Sequence, residues 1–516
     1  MILDTNNFIN QKKLDKVKFF FIFISLILSI FQISISGFNL NTILIIIMIN
    51  FSIILMCNIV LKKENLINNL FAFLMIIALN FFYLSGPLII KTILVEEITS
   101  NLELPLKSFV VAFFYHNVVI IAFLVASKSN NKKQIIDYKD RLLYKLKSFN
   151  YLDLKSTISI FAILLVVKLY LGLYDQGVLS FTTYGNIPMK ILYGYETFFY
   201  LPIIFYFNIF FIKKEISKQN FIIFLLINFL LFVLFGLLTN SRAEIVFGFS
   251  MIFVSFLIIV LFYPGIIEKK KIMYFLTGLI LFSLLLQNLS EKILVNRTYR
   301  TSVTSVELLN RSINVAEFKK ESNNQEINAE TYISYGVLNR FMHIKYLDKS
   351  LYESSFFSEF DIIEFKKFSL LRVASILPEN FINIFNKTYK KEDYLYATGS
   401  YIEQKSRFRT SGDYNKGSFI TELFLLTESY FFSFISIFII FFFLFKVISK
   451  FQIQINGKII YSPLIILMSV NLFYLTGEDG LSAIIGSISR SPIQYIILYY
   501  FLIAAFQKKQ SNIEFK

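Results

Sequence analysis

The sequence predicts an all-α polytopic membrane protein with about twelve transmembrane helices and one long helical extracytoplasmic loop. Three observations predict it. Of the 516 residues, 56% are hydrophobic and the mean hydropathy is +0.62, values outside the range of soluble chains of this length. Apolar runs of about 20 residues, enough to cross a bilayer as helix, recur along the chain. The loops between these runs sort by basic charge, as the positive-inside rule requires.

The spans are expected at 18–36, 42–61, 66–85, 108–127, 156–174, 194–212, 220–238, 245–263, 272–289, 425–445, 459–476 and 493–507. Lys12, Lys13, Lys16 and Lys18 precede the first span, and Lys62 and Lys63 follow the second. Lys128, Lys132, Lys133, Lys139, Arg141, Lys145 and Lys147 follow the fourth. Further lysines follow the sixth (Lys213, Lys214, Lys218), eighth (Lys269 to Lys271), tenth (Lys446, Lys450, Lys458) and last (Lys508, Lys509). Every cluster falls at the N-terminus or after an even-numbered span, so both termini are expected in the cytoplasm. The first span lacks a small-residue cleavage site and is expected to be a retained helix. The net charge of +16 is thereby assigned to topology, and no nucleic-acid partner is expected. The lone cysteine, Cys57, falls inside a span, so neither a disulfide framework nor a Cys/His metal set is expected.

The chain divides into spans 1–289, an extracytoplasmic segment 290–417 and spans 418–516. The middle segment holds a near balance of basic and acidic residues, as a folded surface does. Tyr332, Tyr335, Val337, Leu338, Phe341, Met342 and Tyr346 recur at near-helical spacing within it, while 317–331 is polar and reads as a loop. Ordered loops of this length usually carry function.

The arginines break the lysine pattern. Only Arg141 lies on the cytoplasmic side; Arg242, Arg297, Arg300, Arg311, Arg340, Arg372, Arg407, Arg409 and Arg490 all fall outside. Guanidinium presents a planar fork that suits phosphate and carboxylate, so the pattern points to an anionic substrate at the outer face. In Thr239-Asn240-Ser241-Arg242, a short polar turn between two apolar helices puts one guanidinium at the interface. Arg297 and Arg300, three residues apart, lie just past the ninth span and near the same surface. Arg340 and His343 share the same spacing, and a histidine titrates near neutral pH, as a general base must. Arg407, Arg409, Gly417, Ser418 and Glu422 lead into the tenth span, with Glu428 one to two turns on. His116 falls mid-span and reads as a core residue. Lys168 and Glu196, in the outer parts of spans five and six, are expected to pair.

Some classes are disfavoured. No GxxxxGK[ST] loop is present, and no cytoplasmic segment is large enough for a nucleotide-sugar transferase domain. The first outer loop, 37–41, lacks the acid that mannosyl- and oligosaccharyltransferases carry there.

The Thr239–Arg242 turn, the long outer segment late in the chain, the Gly417-Ser418-Phe419-Ile420-Thr421-Glu422-Leu423 stretch and the Arg372–Pro378 segment together resemble the Wzy-type O-antigen or capsule repeat-unit polymerases. These are related in architecture to the O-antigen ligases. Some members carry R-x10-G in outer loops; here the nearest pair, Arg407 and Gly417, is one residue short. The resemblance implies a GT-C-like fold and an inverting, cofactor-free glycosyltransferase in the bacterial plasma membrane. Its substrate would be an undecaprenyl-pyrophosphate-linked oligosaccharide, and a chain-length regulator would be a partner. It implies Arg242, Arg297 and Arg300 on the pyrophosphate, His343 or Glu422 as base, and Arg340 and Arg409 on sugar or diphosphate, with no metal. Tyr332, Tyr335, Phe341 and Tyr346 would offer faces for sugars. A ligase makes nearly the same physical demands. A repeat-unit flippase would place its cations in a central cavity, and a secondary transporter would show repeated halves.

Overall fold

The computed structural model describes residues 2–4, 8, 10–131, 142–174, 187–239, 241–262, 307, 310–311, 332–333, 336–339, 341–394, 397–406, 417–455, 458–478 and 480–506. Nearly all of this is helix. Among the described residues, nine helices are long and apolar enough to cross a membrane, and one bent pair passes the same test together. The protein is thus an all-α, multi-pass membrane protein. The expected ninth span, 272–289, lies outside the described residues.

The first half of the bundle runs through α1 (Gln11–Ser36), α2 (Leu40–Leu55), α3 (Lys63–Asn80), α4 (Gly86–Ile93) and α5 (Pro105–Asn131). π-helical turns at Met56–Val60 and Phe81–Ser85 extend α2 and join α3 to α4. α1 has the inverted pattern of a lipid-facing helix. Phe19, Phe20, Ile30 and Phe31 point outward, while Ser25, Ser29 and Gln32 are buried. Ser25 donates to Asn50 Oδ1 (2.7 Å), and Asn50 donates to Ser29 Oγ (2.8 Å). Lipid is as apolar as phenylalanine, so helices here gain more by pairing small polar groups across an interface than by hiding phenylalanine.

The chain continues through α6 (Leu154–Tyr174), α7 (Ile187–Glu196), α8 (Leu201–Phe207), α9 (Lys218–Leu238) and α10 (Arg242–Phe262). α9 and α10 approach closely because Gly248 lies against the Phe232 ring and Gly236 against Ile245; a Cβ at either would overlap the neighbour. Past the central segment come α11 (Ile344–Ser354), α12 (Glu359–Ala374), α13 (Thr398–Lys405), α14 (Phe419–Thr427), α15 (Tyr430–Lys450), α16 (Pro463–Glu478), α17 (Leu481–Ile488) and α18 (Arg490–Phe506). α15 packs along α5 and closes the bundle.

A small antiparallel sheet marks one face. β1 (Ile2–Asp4) and β2 (Gln452–Ile455) flank β3 (Lys458–Tyr461) in the order β1-β3-β2. Phe262, at the end of α10, stacks edge-on to Tyr461 of β3, and Tyr151 donates to the Tyr461 carbonyl (2.9 Å). This end is the hairpin face. α11 to α13 lie at the far face, together with residues 94–104 and the α9–α10 turn.

Two expected spans shift. The helix expected at 459–476 starts at Pro463, because 458–461 pair as β3. The helix expected at 425–445 starts at Tyr430, because Glu428 sits in the left-handed region (φ 52°) and ends α14. The helix expected through 332–346 is also interrupted. One turn, Gly336–Asn339, ends before α11, and His343 stands as the N-cap residue of α11.

Candidate functional site

The described residues converge at the far face around Glu422. Glu422 lies in the first turn of α14, with no exposed surface. Ser369 of α12 donates to its Oε1. Its Oε2 accepts from the Leu481 N–H (2.7 Å) and the Thr398 hydroxyl (3.3 Å). Arg372 in turn donates to Thr398 Oγ1, so a threonine hydroxyl links the guanidinium to the carboxylate. Burial pushes the Glu422 carboxyl above the usual glutamate value. The Ser369 and Leu481 hydrogen bonds, the Arg372 charge and the Thr398 hydrogen bond pull the other way.

Glycine makes the cluster possible. Gly480 precedes the first turn of α17, and a Cβ there would overlap Thr398 Oγ1 and Glu422 Oε2. A Cβ at Gly417 would lie 2.7 Å from the Gly399 backbone nitrogen, so the start of α13 packs directly on the chain leading into α14. Glu422 therefore caps α17, where the exposed N–H groups and the helix dipole favour negative charge.

The second feature lies beyond the other end of α17. α7 and α18 run side by side: a Cβ at Gly194 would lie 2.8 Å from Leu498 and 3.1 Å from Gln494, and Tyr195 donates to the Leu498 carbonyl (3.3 Å). Lys190 and Arg490 each stand one turn before these contacts, so they emerge at the same level. Lys391 joins them from the far-face segment. Burial lowers its pKa, and the nearby charges of Arg490 and Lys190 lower it further against the pull of Glu379. Cations from three separate segments thus lie within electrostatic range of one another near the starts of two helices. That end of a helix favours negative charge, and Glu379 is the acid that acts on Lys391 there. α17 spans roughly 12 Å at 1.5 Å per residue, which sets the scale between the carboxylate and the cations.

The sequence candidates divide as follows. Glu422 is at the centre of the first cluster. His343 is elsewhere: it is 1% exposed, its ring lies 4.4 Å from Phe82 and edge-on to Tyr83, and its backbone N–H donates to the Phe82 carbonyl in the π-turn (3.0 Å). Arg242 opens α10, and its side chain lies outside the described residues, as do Arg297, Arg300, Arg340, Arg407 and Arg409. Tyr332 and Tyr346 are buried rather than presented to a ligand; Tyr332 donates to the Ile98 carbonyl (2.8 Å). Lys168 pairs with Glu196 (2.6 Å) as the sequence suggests, and also with Glu244 (2.9 Å), which accepts from the Tyr200 hydroxyl. That network ties α6, α7 and the turn before α8 to the first turn of α10, two residues past Arg242.

Sequence reading missed Lys190, Lys391, Thr398 and Gly480. Lys190 carried little signal, since Lys91 and Lys107 also stand in the short loops of that side. Among the described residues, no three His, Cys, Asp or Glu side chains gather closely enough to hold a metal ion. Compared with known proteins, the chain matches no protein-family model, no curated protein and no solved structure.

Proposed function

We propose that the chain is an inverting glycosyltransferase that polymerises undecaprenyl-pyrophosphate-linked oligosaccharide repeat units at the outer face of a bacterial plasma membrane. The far face is then the outer face, and the chain crosses the membrane about twelve times. The observation that carries this reading is the pairing, along one short helix, of an arginine-linked buried carboxylate with the Lys190–Lys391–Arg490 cluster. An acceptor sugar hydroxyl attacks the donor's anomeric carbon. The bond from that carbon to the pyrophosphate oxygen breaks, and the pyrophosphate leaves with the electron pair. Cations stabilise the charge that develops there. The hydroxyl's proton passes to Glu422, and Thr398 Oγ1, already bridging Arg372 and Glu422, is the atom through which it moves. Glu422 is enclosed, so this step requires the turn opening α13 to part from Gly417 and Gly480. By the resemblance, Arg242, Arg297 and Arg300 would bind the same lipid-borne diphosphate, and Arg340 and Arg409 its sugar or diphosphate.

The test is the length distribution of surface glycan in the native host, comparing wild type, deletion and a Lys391→Ala/Arg490→Ala double variant. Single repeat units on their normal carrier in the deletion, and shortened chains in the double variant, are expected. Finished lipid-linked polymer accumulating outside would make the protein a ligase. Single units trapped on the cytoplasmic side would make it a flippase and overturn the reading.

A further inference from the structure

The segment assigned from sequence to the aqueous side carries a surface that does not suit water. On α12, Phe360, Ile363 and Leu370 are 66%, 64% and 61% exposed, and they share one helical face with the exposed Lys367. The opposite face is used inside the protein: Phe365 and Phe368 are buried, and Ser369 reaches Glu422. Past α12, the stripe continues through Phe381, Ile384 and Phe385, the last 81% exposed, around a buried Ile382. The Phe381 and Phe385 rings lie 5.9 Å apart, edge to face. Contiguous apolar surface of this kind marks an interaction site.

Two further observations say what covers it. The first is continuity with the membrane. α12 packs against α14 and α17, and α17 meets the apolar helix α18 at a bend of 44°. Ile376 lies 3.9 Å from where a Cβ of Gly486 on α17 would stand. The stripe therefore sits beside the ends of helices whose own exposed sides face lipid. The second is charge. On α12 itself Glu359, Asp361 and Glu364 balance Lys366, Lys367 and Arg372, but past it the exposed Lys387 and Lys390 stand beside Phe385. An exposed apolar stripe that ends in an aromatic turn edged with lysines lies in the headgroup layer with its apolar side chains toward the acyl chains.

We infer that α12 and the turns through Phe385 lie in the surface of the bilayer at the far face, gripping anionic lipid headgroups. The far-face segment is then docked on the membrane rather than held above it, which fixes the Arg372–Glu422 cluster at headgroup depth. This does not depend on the catalytic reading: any far-face chemistry would be held at the same depth.

The experiment uses the full chain in nanodiscs of phosphatidylcholine and phosphatidylglycerol. The single native cysteine, Cys57, is 1% exposed and is replaced by alanine. A nitroxide is placed through Ile363→Cys, Leu370→Cys or Phe385→Cys, with Glu392→Cys as the exposed polar control. At the three apolar sites, collisions with dissolved oxygen should exceed those with a water-soluble nickel chelate, and the control should show the reverse. Removing phosphatidylglycerol, or introducing Lys387→Gln and Lys390→Gln together, should raise nickel access at position 385 at least twofold. Nickel access at 363, 370 and 385 equal to the control would overturn the inference. So would dipolar broadening between labels, which would put a second copy of the chain on this face.

Discussion

Asp348 and Glu422 are both buried carboxylates at the far face, and both cap a helix N-terminus. Asp348 Oδ2 accepts from the Glu103 N–H (2.7 Å), and Oδ1 accepts from the Leu104 N–H (2.9 Å) and the Ser108 hydroxyl (2.8 Å), which pins α11 onto the start of α5. Burial raises the pKa of each. The partners differ. Each Asp348 oxygen faces a backbone N–H, a donor that cannot turn around. Among the described residues Glu422 Oε1 faces only the Ser369 hydroxyl, which can reverse, and an arginine stands behind Thr398. An amide in place of Asp348 must leave one N–H without an acceptor. An amide in place of Glu422 can aim its NH2 at Ser369 and keep its oxygen on Leu481. The same cap can therefore be a fixed anchor or a site whose charge is separable from its packing.

Substitutions should break or sharpen that contrast. The largest effect is expected for Glu422→Gln: glycan polymerisation by the purified protein should fall by about 10²- to 10⁴-fold, the range for loss of a general base, while its thermal unfolding in detergent stays unchanged. Activity within about twofold of wild type would reduce Glu422 to an anchor like Asp348. Asp348→Asn should do the opposite, costing about 1–3 kcal/mol of stability for the orphaned donor with turnover per folded molecule retained. Gly480→Ala should cost about 1–3 kcal/mol by overpacking and lower activity too, because the added methyl displaces Thr398 and Glu422.

The pH profile gives a finer comparison. Glu422 acts as a base only when ionised, so activity should rise with pH. Its midpoint should lie above the ordinary glutamate value of about 4.3, because burial raises the pKa. Glu422→Gln should remove this limb, and Asp348→Asn should leave it in place. The smallest effect is expected for Ser369→Ala. The lost hydrogen bond lowers the Glu422 pKa in the wild type, so the limb should move to higher pH, with a stability loss of about 0.5–1.5 kcal/mol. A limb that stays put would mean Ser369 does not face the titrating group.

The membrane-crossing helices were legible because hydropathy and loop charge are local: each span needs only its own 20 residues and its flanks. The Lys168–Glu196 pair was legible for a similar reason, since an ionisable residue in a span needs a partner at its own depth. Glu422 was found from its place beside a helix start. Its partners were not, because Ser369 and Leu481 stand 53 and 59 residues away and nothing local marks them. His343 shows the limit from the other side. Spacing aligned it with Arg340 on one helix, but the helix breaks, and the histidine fills an aromatic niche against a π-turn.

The sequence by itself determined that this chain lives in a bilayer and which stretches are apolar enough to cross it, because transfer from water to lipid is scored residue by residue. It also marked the far side as rich in arginine. Only the tertiary structure decided which charges meet. Lys190, Lys391 and Arg490 are drawn together by the packing of α7 against α18 beneath the far-face segment, and the stripe on α12 lies at the membrane because α12 rests on α17. Electrostatic contact depends on distance in space, and that distance is fixed by packing between segments hundreds of residues apart.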